Sequence, residues 1–147
     1  MAETIALILE NKGNAIWSVT PDATVYDAIA IMADKGVGAL LVVSERRLVG
    51  IISERDYARK VILQGKASRE TTVGEIMTSP PVVATLDQSV DDCLRLMTDN
   101  RIRHLPVVSQ EAVIGALSIG DLVNWIIRRQ EEEIHHLHHY ISGSYPA

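Results

Sequence analysis

Apolar positions along the chain switch between a helical and a strand-like period in a fixed order. Residues 25–32 place apolar side chains at the spacing of one helix face. Two short apolar runs follow at 39–43 and 48–52, and the polar residues between them predict a turn, so the runs are expected to pair as a hairpin. Ser53 begins a second helical pattern that continues through residue 62, and a short apolar stretch at 16–19 precedes the first helix. This pattern predicts a β-α-β-β-α unit.

The same order of elements occurs twice, which identifies an internal repeat. A shift of 65 positions, without gaps, aligns residues 20–56 with the second half of the chain. The identical pairs include Thr20/Thr85, Asp22/Asp87, Val25/Val90, Asp27/Asp92, Met32/Met97, Asp34/Asp99, Leu40/Leu105, Val42/Val107, Gly50/Gly115, Ser53/Ser118 and Asp56/Asp121. The second unit is therefore expected to have strands near 82–84, 104–108 and 113–117. Because units of this size have marginal cores alone, two α/β copies are expected to pack on each other.

The segments outside the repeat predict the remaining organisation. Thr4 fits a helix N-cap, and the helix that it begins is expected to end at Lys12-Gly13. Beyond residue 120 the last helix is expected to continue to residue 141, since apolar residues keep a seam along it. The predicted boundaries are 1–15 for an N-terminal helix and lead-in, 16–63 for the first copy, 64–79 for a linker and lead-in helix, 80–128 for the second copy, and 129–147 for a C-terminal helical tail.

Composition and charge restrict the function classes. The 147-residue chain is 47% apolar and 22% charged, which is ordinary for a globular protein. Its formal net charge of −5 argues against nucleic acid as a partner. No stretch approaches the roughly 20 apolar residues that span a bilayer, so no membrane partner is expected. The single cysteine, Cys93, and an N-terminus unlike a targeting signal favour a cytoplasmic protein.

Several motifs resemble the cystathionine β-synthase (CBS) domain family. The stretches 48–56 (LVGIISERD) and 113–121 (VIGALSIGD) are similar to its strand–turn–helix signature, 103–108 (RHLPVV) to its middle strand, and 74–78 (GEIMT) to its lead-in to a second copy. The resemblance covers nearly the whole chain. It implies a tandem CBS pair, or Bateman module, whose copies pack with pseudo-two-fold symmetry and hold adenosine compounds in the clefts between them. With no catalytic domain left over, a stand-alone pair is expected.

Each copy carries a Ser-x-x-Asp pattern after its last strand, at Ser53/Asp56 and Ser118/Asp121. A carboxylate at the start of a helix can accept hydrogen bonds from the vicinal hydroxyls of a ribose, and a helix N-terminus suits a phosphate. The resemblance assigns the ribose to the two aspartates and the phosphate to the two serines. The alternative is a capping box that only satisfies the helix end. The occurrence of the pattern twice in register favours a ligand site.

Basic residues cluster near both motifs and are candidates for holding phosphates. The candidates are Arg55, Arg59 and Lys60 after the first motif, and Arg101, Arg103 and His104 before the middle strand of the second copy. The resemblance supports Arg103 and His104 in particular, whereas a solvated surface position is an equal alternative for Arg59, Lys60 and Arg101. The first copy has Gly38 and Ala39 where the second has Arg103 and His104. Two unequal clefts are therefore predicted.

An adenine ring needs an apolar slot with backbone groups that read its edge. The resemblance implies this role for Val19, Val37, Pro81 and Val82, together with Ile52 and Leu117. The alternative for each of them is a position in the hydrophobic core.

Four histidines near the C-terminus, His135, His136, His138 and His139, raise the question of zinc. The spacing completes no ligand set, although Glu131 to Glu133 lie one turn away, and a solvated helix face is the favoured interpretation. No metal site is predicted. Cys93 lies on the apolar face of a predicted helix, and the sequence contains no catalytic triad, carboxylate pair or phosphate-binding loop. Neither an enzyme nor a catalytic cofactor is expected.

The sequence therefore predicts a regulatory module that binds an adenine nucleotide, such as AMP, ATP or NAD, and signals to an unknown target protein. The alternative is a structural dimerisation module with vestigial clefts, and a third hypothesis is an enzyme that uses the histidine tail. A homodimer is expected, with the central helices as its main contact. Apolar surface for this contact is predicted at Ala28, Ile29, Met32, Leu94 and Met97, with a further seam along residues 127–141.

Overall fold

The computed structural model describes residues 4–12 and 16–141, with side chains described through residue 138. It confirms an α/β chain of two β-α-β-β-α units. In chain order the elements are α1 (Ile5–Lys12), β1 (Ser18–Val19), α2 (Val25–Lys35), β2 (Ala39–Ser44), β3 (Arg47–Ser53), α3 (Glu54–Tyr57) with a π-helical continuation (Ala58–Ile62), α4 (Val73–Ile76), β4 (Ala84–Thr85), α5 (Val90–Asn100), β5 (His104–Ser109), β6 (Ala112–Ser118) and α6 (Ile119–Ile141).

Each copy forms its own three-stranded sheet, in the order β1-β2-β3 and β4-β5-β6. In both sheets the first strand is parallel to the second, and the second and third form an antiparallel hairpin. The register shifts at the equivalent place in each hairpin, directly after Val42 and after Val107. Residues 45–46 and 110–111 all have positive φ, as a two-residue hairpin turn requires. The two copies therefore share the same turn conformation and register shift, even at turn positions where their residues differ.

The core of each copy is completed by the helix that precedes the other copy in sequence. Ile5, Ile8 and Leu9 of α1 are buried within the core of the second copy. Val73 and Ile76 of α4 are buried within the core of the first copy. The predicted lead-in helices thus contribute core residues, and each of them packs into the copy that it does not precede.

The second helix differs between the copies. In the first copy it begins regularly at Glu54 but continues from Ala58 to Ile62 as a π-helix, a form that often occurs at functional sites. In the second copy the corresponding helix, α6, has 23 residues and reaches Ile141, as the sequence predicted. Neither α6 nor any other helix within the described ranges is long and apolar enough to cross a membrane.

Of the two predicted apolar surfaces, the seam on the last helix is exposed and the faces of the two central helices are not. Ala28, Met32 and Met97 are buried in the cores, because the apolar faces of α2 and α5 close over their own sheets. Ile29 and Leu94 are partly buried against the same cores. Exposed large apolar side chains instead follow one face of α6, at Ile119, Val123, Ile127, Ile134 and Leu137.

Candidate functional site

A cleft of about 670 Å³ opens between the two copies, a volume typical of small-molecule sites. The first copy contributes the end of β3 and the beginning of α3, and the second copy contributes the connection from α5 to β5. We call this the first cleft. It is lined by Gly38, Ile51, Ser53, Glu54, Arg55, Asp56, Arg59, Lys60, Thr78, Asn100, Arg101, Ile102, Arg103 and His104.

The structure brings many of the predicted site residues together in the first cleft. The predicted residues in its lining are Ser53, Arg55, Asp56, Arg103 and His104, and the undecided basic residues Arg59, Lys60 and Arg101 line it as well. They come from opposite halves of the chain and meet because β3 and β6 contact each other across the two copies. The arrangement therefore depends on the pairing of the copies.

Asp56 is held by a capping box at the start of α3. The Ser53 N–H donates to Asp56 Oδ2 at 3.0 Å, and the Asp56 N–H donates to Ser53 Oγ at 3.2 Å. Ser53 and Asp56 thus form the capping box that was the alternative interpretation of this pattern. The other oxygen, Oδ1, lies 3.5 Å from Thr78 Oγ1 and 3.2 Å from Lys60 Nζ. Capping fixes the carboxylate through Oδ2. The second oxygen, Oδ1, forms an ion pair with Lys60 and keeps the capacity to accept a further hydrogen bond.

Positive charge dominates the first cleft although the chain is acidic overall. Its lining holds the five cationic side chains Arg55, Arg59, Lys60, Arg101 and Arg103 against the two carboxylates Glu54 and Asp56. The Arg55 guanidinium donates to the Arg101 carbonyl oxygen at 3.2 Å, a hydrogen bond that joins the two copies. Guanidinium groups match the geometry of phosphate oxygens, so this lining is suited to a phosphorylated ligand.

Gly38 permits the close approach of His104 and Glu54. A Cβ atom at Gly38 would lie 3.1 Å from Glu54 Oε1 and 3.3 Å from His104 Nε2. Gly38 is the equivalent of Arg103 in the repeat, so a large side chain is present at this position in only one copy. The predicted inequality of the two clefts therefore has a packing component as well as a charge component.

His104 lies between charged groups of both copies. Burial lowers the pKa of His104 below its ordinary value, and the positive charge of Lys12 acts in the same direction. The carboxylates of Asp121 and Glu54 oppose this shift in pKa. Near neutral pH the imidazole is therefore uncharged, and it can offer a ligand both a donor and an acceptor.

The second Ser-x-x-Asp pair, Ser118 and Asp121, lies outside the first cleft. The Ser118 N–H donates to Asp121 Oδ2 at 2.8 Å, and the Asp121 N–H donates to Ser118 Oγ at 3.1 Å. Lys12 of α1 places its Nζ 2.7 Å from the same Oδ2. Burial acts to raise the pKa of Asp121, but the hydrogen bonds from Lys12 and Ser118 outweigh it and hold the pKa below its ordinary value.

The six predicted adenine contacts do not line the first cleft. Ile52 and Leu117 are fully buried in the cores of the first and second copies. Val19 is buried in the core of the first copy, and Val82 packs against the core of the second. Pro81 is half-buried. Val37 lies in a separate hollow of about 460 Å³ beside α2. The apolar residues that do line the first cleft are Ile51 and Ile102.

Two residues beside the aspartates were not predicted. Thr78 contacts Asp56, and Lys12 contacts Asp121. Thr78 has a sequence signal, because it lies within the motif 74–78 that resembles a family lead-in. Lys12 has none, since it is the last residue of a helix outside the repeat.

The remaining chemical candidates stay separate from the cleft. Within the part of the chain that the structure describes, no group of three or more His, Cys, Asp or Glu side chains is arranged to hold a metal ion. The histidines lie on α6, and the side chain of His139 is outside the described residues. Cys93 is buried, and burial raises the pKa of its thiol to about 11, so the thiolate needed for nucleophilic chemistry is scarce.

Comparison with known proteins identifies close relatives of the whole fold. A family model described as "CBS domain" matches residues 14–62 and 73–128. The chain is 43% identical over 152 residues to the mitochondrial CBS domain-containing protein CBSX3 of Arabidopsis thaliana, and the match covers 97% of this chain and 73% of that protein.

Solved structures agree with this result. A protein with CBS domains from Burkholderia ambifaria, provisionally described as a signal-transduction protein, is 50% identical with a TM-score of 0.84, over 87% of this chain and 96% of that one. The CBS domain pair of protein MJ0100, solved in complex with 5′-methylthioadenosine and S-adenosyl-L-methionine, is 26% identical with a TM-score of 0.77, over 88% and 99% of the two chains.

Proposed function

Because this chain belongs to the CBS domain family and contains a tandem CBS pair, we propose that it binds an adenine nucleotide, such as AMP, ATP or NAD, in the first cleft. Tandem CBS pairs are regulatory modules, and the proposed role is to report the bound nucleotide to a partner protein. The observation that carries the proposal is the convergence of cationic side chains from both copies around the fixed carboxylate of Asp56.

The proposed ligand contacts follow from the chemistry of the lining. The Oδ1 oxygen of Asp56 accepts hydrogen bonds from the ribose hydroxyls. Arg55 and Arg103 hold the phosphates, with Ser53 and His104 as additional hydrogen-bonding groups. The adenine ring lies against Ile51 and Ile102, the apolar part of the lining. Arg59, Lys60 and Arg101 extend the positive surface, which favours a ligand with more than one phosphate charge.

The ligand class is supported by the structural neighbour. MJ0100 binds 5′-methylthioadenosine and S-adenosyl-L-methionine, which share the adenosine group. Adenosine recognition is therefore compatible with this fold. The arginines of the first cleft in the present chain favour an adenosine compound that also carries phosphate.

The proposed signal is a change in the arrangement of the two copies. A ligand in the first cleft contacts α3 of the first copy and the α5–β5 connection of the second, so its binding favours the arrangement in which both contacts are made. A ligand shifts such an equilibrium only through different affinity for the two arrangements. The role requires no catalysis, which agrees with relatives that are named for CBS domains and signal transduction.

We also propose that the chain forms a homodimer through α6. The exposed apolar side chains at Ile119, Val123 and Ile127 continue at Ile134 and Leu137 along one face of this helix. An exposed row of apolar side chains on one helix face is typical of a protein contact, and a second copy presents the same row with two-fold symmetry. The cytoplasmic location stays a prediction from the sequence, and the Arabidopsis relative is mitochondrial by name.

Calorimetric titration of the chain with AMP, ATP and NAD tests the proposed function. Arg103→Ala should weaken binding of a phosphorylated ligand by about 2 kcal/mol, or roughly thirtyfold, the scale of a hydrogen bond to a charged group. Arg47→Ala is the matched control, because Arg47 is exposed at the start of β3, outside the cleft. If all three nucleotides fail to bind the wild-type chain, or if the two variants bind equally, the proposal is wrong.

A further inference from the structure

Lys12 contacts a strand carbonyl and the carboxylate of Asp121 in the second copy. Thr78 makes the equivalent two contacts beside Asp56 in the first copy. In the first copy, the Thr78 N–H donates to the Ile51 carbonyl at 2.9 Å, and Thr78 Oγ1 lies 3.5 Å from Asp56. In the second copy, Lys12 Nζ donates to the Ala116 carbonyl at 2.7 Å and to Asp121 at 2.7 Å. The shift of 65 positions that relates the copies places Ile51 on Ala116 and Asp56 on Asp121. A flexible ammonium group thus replaces a neutral hydroxyl and a backbone N–H.

The two aspartates consequently differ in how strongly neighbouring side chains bind their carboxylates. The Thr78 hydroxyl is too far from Asp56 for a strong O–H···O hydrogen bond. Lys60 forms an ion pair with Asp56 at 3.2 Å, a longer contact than that of the similarly exposed Lys12 with Asp121. At Asp121 the distance of 2.7 Å is that of a full charge-assisted hydrogen bond. A ribose hydroxyl therefore meets weaker competition for the carboxylate at Asp56 than at Asp121.

The position of Lys12 is fixed by the packing of α1. Ile5, Ile8 and Leu9 are buried in the second copy's core, and the Ile5 N–H donates to the Gln88 carbonyl at 3.0 Å. Lys12 is the last residue of this anchored helix. Its side chain is therefore tethered beside Asp121 at high effective concentration.

Compensating charge is also scarce around the second aspartate. The repeat places Gly38 and Ala39 where the first cleft has Arg103 and His104, and it places Gly120 where the first cleft has Arg55. Lys12 and Asp121 form a pair without net charge. A phosphorylated ligand that displaced Lys12 would find few other cations at the positions equivalent to the first cleft.

We propose that Lys12 is a tethered internal cation that occupies Asp121 and limits the chain to one tightly bound nucleotide, in the first cleft. This inference rests on the proposed function, since it concerns how many adenine nucleotides the chain binds. It assigns α1 a role in addition to packing, namely to set the nucleotide stoichiometry of the pair.

The test is a calorimetric titration of wild type and Lys12→Met, first with ATP to fill the first cleft and then with adenosine. Adenosine carries no phosphate, so it probes the ribose contact at Asp121 without needing further cations there. The wild-type chain should bind one ATP tightly. In Lys12→Met, ribose hydroxyls replace the missing partner of Asp121, so adenosine should bind the ATP-saturated variant at least about tenfold more tightly than it binds ATP-saturated wild type. Lys12→Gln should behave like Lys12→Met and guards against a folding defect of one variant. Lys66→Met, an exposed lysine in the connection between the copies, is the control and should keep the wild-type stoichiometry.

The alternative outcomes are separable. If wild type binds one ATP and neither Lys12 variant then binds adenosine more tightly than wild type does, the role of Lys12 is wrong and the proposed function stands. Loss of a second event in the Lys12 variants would also overturn the inference, because it would make Lys12 a ligand contact. Absence of ATP binding in wild type and in both Lys12 variants contradicts both proposals.

Discussion

Asp56 and Asp121 show how one sequence pattern produces two different environments. Both carboxylates cap a helix through the serine three residues earlier. Asp56 lies in a cleft rich in arginine and forms an ion pair with Lys60 at 3.2 Å, whereas Asp121 forms a shorter one with Lys12, at 2.7 Å. The difference between them comes from residues outside the Ser-x-x-Asp pattern, and it determines what each carboxylate can bind.

The Lys12–Asp121 pair predicts a specific dependence of stability on pH. The pKa of Asp121 in the folded chain lies below its ordinary value of 3.8. The ionised carboxylate therefore stabilises the fold above that ordinary pKa, and this contribution is lost as the pH falls through the lower folded pKa. Between about pH 5 and pH 2, the free energy of unfolding should fall more steeply in wild type than in Lys12→Met.

Urea unfolding at a series of pH values measures this difference. The pKa values of Asp22, Glu75 and Asp92 are also lowered by local hydrogen bonds, but these groups are the same in both proteins and cancel in the comparison. Parallel curves for wild type and Lys12→Met would show that Lys12 does not control the pKa of Asp121.

A candidate site residue can be predicted from the sequence when it belongs to a short motif whose members are close together in the chain. Ser53 and Asp56 were recognisable because the pattern occurs twice in register, and Arg103 because it precedes a motif strand. Lys12 was not recognisable, because its partner is over a hundred positions away and a lysine that ends a helix has an ordinary capping role. Val19 was assigned to adenine by resemblance, whereas the structure places it in the core.

At the scale of elements, the lead-in segments are fixed by glycines at equivalent positions of β3 and β6. A Cβ atom at Gly50 would lie 2.7 Å from Met77 Sδ and 2.8 Å from the Thr78 carbonyl oxygen. A Cβ atom at Gly115 would lie 2.8 Å from Leu9 Cδ2. At Gly50 the added Cβ would meet the Thr78 backbone, whose carbonyl oxygen accepts a hydrogen bond from the Ile51 N–H. At Gly115 it would meet only the end of the flexible Leu9 side chain.

These contacts predict unequal costs for the same substitution. Gly50→Ala should lower the free energy of unfolding by about 1–3 kcal/mol, because the backbone at Thr78 has to shift. Gly115→Ala should cost less, since the Leu9 side chain can change its rotamer. Chemical denaturation of both variants gives the comparison, and an equal or larger loss in Gly115→Ala would contradict this account of the packing.

The elements were largely predictable because hydrophobic period and turn residues are local properties. The two hairpins and the long C-terminal helix follow the predicted order. The π-helix at Ala58–Ile62 was not predicted, since its side chains fit a regular helix equally well. The hydrophobic period also identifies the apolar face of a helix but not the surface on which that face packs. The burial of α1 in the second copy was therefore not predictable from the sequence.

At the scale of the whole molecule, the stripe on α6 predicts the mode of assembly. Ile127→Asp combined with Leu137→Asp places two charges on the stripe and should convert the proposed homodimer to a monomer, because a buried unpaired carboxylate is unfavourable. Asn124→Asp adds a charge to the same helix outside the stripe and should leave the dimer intact. Light scattering measures the masses. A monomeric wild type, or a dimer that survives the double substitution, would rule out assembly through α6.

Native mass spectrometry of the whole chain, as purified and after addition of AMP, ATP or NAD, tests the central claim most directly. Asp92→Ala is a matched control for Asp56→Ala, because Asp92 forms the same capping box with Ser89 at α5, outside the first cleft. The account predicts an adduct with the mass of one adenine nucleotide on wild type and on Asp92→Ala, and loss of that adduct in Asp56→Ala. An Asp56→Ala chain that keeps the adduct, or a wild-type chain that acquires none from any of the three nucleotides, would contradict it.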